Sequence, residues 1–213
     1  MTPQSSNPTR LAIFGDVHGN SAATAATLAA IETAAPDAVY CLGDLVGYGA
    51  RPNETIDLVR AREIPTLMGN YDDGVGFDRD DCGCAYKDDG ERDRGQASLI
   101  WSRAVVTPDR KAYLQALLPE IRLEIAGLRL RLVHGSPRRM NEYLFEDRDA
   151  RSLERIAAGA DCDILIFGHT SSPGPATSAA SASSTPAAPV SPRTATPTPA
   201  GSSSPWRPAL RPA

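Results

Sequence analysis

Short apolar runs alternate with longer polar stretches along this chain, and the runs tend to stop at a glycine followed by a polar residue. Leu11-Ala12-Ile13-Phe14 ends at Gly15, and the run from Ala38 to Leu42 ends at Gly43-Asp44. Runs this short, bounded by turn residues, predict buried strands. Between them Ser21 is placed to cap an Ala-rich helix that reaches about Ala35 and is closed by Pro36. Pro52, a favoured first helical residue, predicts a second helix to about Arg62. Thr66-Leu67-Met68 predicts a third strand that ends at Gly69-Asn70. Residues 71–94 are polar, acidic and Gly-rich, and predict a long loop serving as a lid or rim. Helical pattern returns from about Gln96 to Ala104 and from Pro108 to Leu117. The stretches 122–125 and 128–133 alternate apolar and polar around Ala126-Gly127, the pattern of a β-hairpin. A helix from about Ala150 to Ala158 leads to a strand from Asp163 to Phe167, which ends at Gly168-His169. Strand–loop–helix alternation of this kind predicts an α/β domain with parallel pairing and right-handed crossovers.

The pattern stops at Thr170. Of the 43 residues that follow, 35 are Ser, Ala, Pro or Thr. Such a segment cannot bury enough apolar surface to offset its ordering entropy, so 1–170 is expected to form the domain and 171–213 a disordered tail. The 213 residues suit one α/β domain. The net charge of -4 conceals a more acidic body: up to Thr170 there are 19 basic and 26 acidic residues, a balance of -7. An acidic body is a poor partner for nucleic acid or an anionic membrane, and suits a protein that gathers cations at carboxylates. No apolar run is long enough to span a bilayer, and Met1-Thr2-Pro3-Gln4 opens no hydrophobic signal core, so the cytoplasm is the expected compartment. Cys41 and Cys162 lie in or beside apolar runs and are expected to be small buried hydrophobes. Cys82-Gly83-Cys84 sits in the charged loop; no second Cys/His pair completes a zinc or redox motif, so a plain loop is expected.

The chemistry gathers at the strand ends. Five signatures recur: Gly15-Asp16-Val17-His18-Gly19-Asn20, Gly43-Asp44, Gly69-Asn70-Tyr71-Asp72, His134-Gly135-Ser136 and Gly168-His169-Thr170. Ligands of open α/β sheets bind beyond the carboxyl ends of the strands, so Asp16, His18, Asp44, Asn70, His134 and His169 are expected on one edge. The neighbouring glycine is expected to let the backbone turn tightly. Taken singly, each has a bland reading: a hydrogen-bonded edge histidine, a helix-capping or Asx-turn aspartate, a turn asparagine. Together the carboxylate, imidazole and amide donors suit Mn, Fe, Zn or Co, and all three histidines of the chain fall in these signatures.

In this order, over Leu11 to Thr170, the signatures resemble the calcineurin-like metallophosphoesterase superfamily, with wording similar to its small bacterial phosphodiesterase branch. The resemblance implies a four-layer α/β/β/α sandwich and two divalent metal ions, manganese first, with Fe, Zn, Ni or Co also suited. It implies a first metal on Asp16 and His18, a bridge at Asp44, and a second metal on Asn70, His134 and His169. It implies hydrolysis of a small phosphorylated substrate, a diester ahead of a monoester, by water whose pKa the metals lower.

The chain departs from the family pattern in two places. Tyr71, followed by Asp72, stands where many members have a histidine that assists the leaving group; both are candidate catalytic residues. Tyr71 reads equally as a branch-specific substitution, a weaker acid suited to good leaving groups, or a structural aromatic. Ser171 stands where the family closes with a metal-ligating histidine, leaving the first metal with Asp16, His18 and Asp44. Arg138 and Arg139 read either as phosphate contacts or as a solvated basic pair. These departures also admit a non-catalytic binding scaffold of the same fold. Where the family has further closing strands this chain has its Ser/Ala/Pro/Thr tail, so missing strands, an uncovered sheet edge and a tendency to aggregate are expected. The tail's codons, shifted by one base near Ser171, can spell a family-like glycine-rich block, so a frameshifted reading of the family's C-terminus is expected in the gene.

Overall fold

The computed structural model describes residues 10–145 and 148–170, together with the backbone of Ala182–Ser184. Strands β1 (Leu11–Phe14) and β2 (Ala38–Cys41) pair in parallel, joined by helix α1 (Ser21–Ala34). Helices α2 (Pro52–Arg60), α3 (Asn70–Gly76), α4 (Asp89–Val105) and α5 (Pro108–Gln115) follow. The hairpin β3 (Ile121–Ile125) and β4 (Leu128–Val133) starts a second sheet. After α6 (Ala150–Gly159), β5 (Ile164–Phe167) joins β4 in parallel, and β6 (Ala182–Ser184) lies antiparallel to β5.

The two-residue period of the strands sorts side chains into three apolar layers. Val39 and Cys41 of β2 face a core with Leu28, Ile56, Val75, Leu99 and Leu114, one from each of α1 to α5. Ala38 and Tyr40 face the other way and meet Leu123, Leu130, Leu132 and Ile166 between the two sheets. Leu165 and Phe167 of β5 point outward against Ile156 of α6. Helices, sheet, sheet and helix thus form the expected four layers.

Several expectations are corrected. Asn20, not Ser21, caps α1, its side chain accepting from the Ala23 N–H at 3.0 Å. The third strand reduces to isolated parallel bridges, Cys41 with Thr66 and Leu67 with Leu118, because the chain turns into α3 straight afterwards. The long loop shrinks to 77–88, since α3 and an earlier start of α4 take up its ends. Among the described residues no helix is long and apolar enough to cross a membrane. Apart from the β6 backbone, the expectations for 171–213 (disorder, the shifted frame, Ser171 beside the site, missing closing strands) lie outside the described residues.

Candidate metal centre

Loops leaving β1, β2, β4 and β5 and the start of α3 converge on one edge. They are laced together by backbone bonds: Asp16 N–H to Gly43, His18 N–H to Asp44 and Gly168 N–H to His134, each 2.8–2.9 Å. Asp16, His18, Asp44 and His169 all have φ between +45° and +59°. Left-handed backbone costs a non-glycine residue about 1–2 kcal/mol. Four such residues at one site show that the surrounding fold imposes their placement. Of the glycines preceding the expected ligands, Gly43 does take a positive φ, whereas Gly15, Gly69 and Gly168 do not. Gly69 is required for space instead: a Cβ there would collide with Asp44 Oδ1.

The six expected residues meet. Ligand atoms of Asp44, His134 and His169 lie within 4.8 Å of one another, and so do those of Asp16, His18 and Asp44. Asp44 belongs to both groups. Its Oδ1 accepts the Tyr71 N–H at 2.9 Å, while Oδ2 lies 3.4 Å from His134 Nε2 and 3.6 Å from His18 Nε2.

The histidine tautomers follow from their partners. His134 Nδ1 lies 2.8 Å from the Leu42 carbonyl and His18 Nδ1 3.0 Å from that of Val46. A carbonyl only accepts, so each Nδ1 carries a proton and each Nε2 is the nitrogen turned inward. His134 Nε2 therefore faces Asp44 Oδ2 and, at 3.2 Å, Asn70 Oδ1. His169 Nε2 is buried with no hydrogen-bond partner among the described residues. These converging imidazole, carboxylate and amide groups fit a borderline divalent metal. The same field acts on protons. Burial opposes charge on His134, but Asp44 outweighs it and lifts the ring to about 9. Burial, then His134, lowers His169 to about 4. Burial and then the Asp44 charge raise Asp16. Asp44 itself is held well below the usual carboxylate range, because the histidines outweigh its burial.

The other candidates lie differently. Asp72 is fully buried beneath the site, where its carboxylate accepts from the N–H groups of Asp44 (2.7 Å), Leu45 (2.9 Å) and Gly69 (3.0 Å). Burial, then the charge of Asp44, pushes it up to about 7. The Tyr71 ring packs edge-on to His18 with centroids 5.4 Å apart, and it occupies the space that a side chain at Gly47 would need. Its hydroxyl is buried near Cys82, Tyr48 and Tyr86, and burial pushes its pKa far up. Arg138 is exposed and paired with Glu142, which also accepts from Ser136 Oγ and Arg148. Arg139 is exposed too, and its carbonyl accepts the Ser136 N–H.

Glu142 thereby anchors the loop after His134. Its bond to Arg138 holds it down to about 2, outweighing partial burial. A carboxylate lowered on folding adds stability above its unfolded value, near 4.3, and loses it as pH falls toward the folded one. Glu142→Gln is therefore expected to lower the melting temperature at pH 7, with the difference from wild type shrinking between pH 5 and 2. An equal difference at both ends of that range would refute it.

Sequence reasoning missed three neighbours. Tyr48 meets His18 edge-on at 5.0 Å, and Tyr143 lies 4.1 Å from His169 at 32°; no motif marks either. Cys84 accepts from Asn70 Nδ2 at 3.1 Å, and the Cys-x-Cys pattern was its only signal. A cavity of about 650 Å³ opens beside Asp16, His18, Asn20 and Tyr48.

The sequence profile of the calcineurin-like phosphoesterase superfamily domain matches residues 10–189. The chain is 32% identical over 140 residues to the uncharacterized protein MJ0912 of Methanocaldococcus jannaschii, covering 64% of this chain and 54% of that protein. The crystal structure of a metallophosphoesterase from Sphaerobacter thermophilus aligns at 29% identity and a TM-score of 0.56, over 77% of this chain and 61% of that one. The hypothetical protein PH1004 of Pyrococcus horikoshii shares the fold at 20% identity and a TM-score of 0.64, over 76% of this chain and 69% of that one. The chain thus spans a little over half the length of the curated relative it matches.

Proposed function

We propose, for a chain that belongs to the calcineurin-like phosphoesterase superfamily, that it hydrolyses a small phosphorylated substrate at a dinuclear metal centre. The observation that carries this is Asp44 Oδ2, set between His18 Nε2 and His134 Nε2 and shared by both ligand groups. Asp16, His18 and Asp44 would hold one ion; Asp44, Asn70, His134 and His169 would hold the other. Two divalent ions so held supply Lewis acidity toward a phosphoryl oxygen and acidify water. The chain's own part is to keep both Nε2 lone pairs inward and to fix the bridging carboxylate through the Tyr71 N–H. In this reading Tyr71 and Asp72 are positioning residues, and Arg138 supports the loop after His134. Manganese, a preference for diesters and a cytoplasmic location belong to the proposal; four free cysteines support a reducing compartment.

The test is turnover of bis-p-nitrophenyl phosphate with added manganese, compared with chelator-treated protein. Metal-dependent release of p-nitrophenol is expected. A chain that binds manganese but releases none would instead support a non-catalytic scaffold, which the shorter ligand set around Asp16 favours. That shorter set has its own consequence. Titration of manganese into metal-free protein should show one tight and one weak site, with the tight one at Asn70, His134 and His169. Two equally tight sites would refute the assignment.

A further inference from the structure

We propose that Cys82 and Cys84 form a dithiol modification site, whose oxidation to a disulfide loosens the Asn70 amide at the second metal position. The inference rests on the proposed metal centre for its consequence, but not for the chemistry of the thiols. The two Sγ atoms lie 3.0 Å apart, and both cysteines are free. Cys82 is buried and Cys84 half-buried. The loop between them is pinned: Gly83 has φ +68°, its carbonyl accepts from Asn141 Nδ2 at 3.0 Å, and a Cβ there would strike that same amide.

The loop also orients a proposed ligand. Asn70 Nδ2 donates to the Cys82 carbonyl and to Cys84 Sγ, both at 3.1 Å. An amide offers donors at one end and an acceptor at the other, so two acceptors on the nitrogen turn Oδ1 toward His134. Cys84 is thus a positioning residue. A disulfide requires sulfurs about 2.05 Å apart, so they must close by roughly 1 Å. That movement draws Cys84 Sγ off the amide it now holds.

The oxidant is a low-molecular-weight disulfide. One of the two protein sulfurs attacks one sulfur of that disulfide; the S–S bond breaks, and one small thiol leaves with that cysteine's proton. The other protein sulfur then attacks the resulting mixed disulfide, and the second small thiol leaves with its proton. Two protein thiols lose two electrons, and one external disulfide is reduced to two thiols.

The experiment exposes the reduced full chain to oxidised glutathione, then measures peptide mass and manganese affinity. The peptide carrying both cysteines should lose the mass of two hydrogens. Manganese should bind about tenfold more weakly at the tighter site, the size of effect typical for losing a residue that orients a metal ligand. Dithiothreitol should reverse both changes, and Cys82→Ser, which keeps the backbone carbonyl that Asn70 uses, should show no cross-link. Absence of the cross-link, or a cross-link that leaves manganese affinity unchanged, overturns the proposal. If the reduced chain binds no manganese at all, the metal centre itself fails, the proposed coupling falls with it, and the mass still decides whether the disulfide forms.

Discussion

Asp44→Ala should abolish metal binding at both positions at once, whereas Asp16→Ala should spare the tighter one. The asymmetry follows from the two oxygens of one carboxylate. Oδ1 is held by the Tyr71 N–H at 2.9 Å, which leaves Oδ2 between the inward nitrogens of His18 and His134. Asp44 is 2% exposed, so water cannot substitute for it readily. Asp16 belongs to one ligand group only. Removing it leaves Asp44, Asn70, His134 and His169 together. Turnover in Asp44→Ala should fall at least about 100-fold, the usual cost of losing one electrostatic stabiliser. Manganese stoichiometry by isothermal titration decides the matter: comparable metal loss in the two variants would contradict a bridging role.

The edge on which these residues meet was legible because each follows a short apolar run, and the ends of parallel strands share an edge. The hairpin was equally plain, since the stretch from Leu128 to Leu132 alternates without interruption. The helices around 70–94 were not. Asn70–Gly76 contains two glycines and two aspartates, poor helix formers, and it is helical because Tyr71 and Val75 pack into the core. The charge of residues 89–94 predicts a loop, although Asp88 and Glu91 stand at capping-box spacing. Asp88 does accept the Glu91 N–H at 2.8 Å, and Glu91 reaches back to the Lys87 N–H. The left-handed backbone at Asp16, His18, Asp44 and His169 had no sequence signal. The glycines beside them are what the sequence pattern marks, while the strain sits on the expected ligands themselves.

The role of Asp72 is the sharpest difference between what its place in a motif suggests and what its surroundings show. Beside Tyr71 it reads as a catalytic carboxylate, yet its oxygens are taken up by three backbone N–H groups from two loops. One of those is the N–H of Asp44, so the carboxylate ties the start of α3 to the residue proposed to bridge the metals. Asp72→Ala would leave three buried donors without an acceptor. Each such loss costs about 1–3 kcal/mol, so a total of roughly 3–9 kcal/mol is expected. Against a usual stability of about 5–15 kcal/mol that is a large fraction. The melting temperature should drop by about 10 °C or more. Asp72→Asn keeps one acceptor oxygen but turns an NH2 toward the remaining N–H, so it should fall between Asp72→Ala and wild type. A carboxylate engaged in proton transfer would behave otherwise: Asp72→Asn would melt like wild type and lose turnover. Thermal melts of the two variants, read before any assay of turnover, therefore separate a positioning carboxylate from a catalytic one.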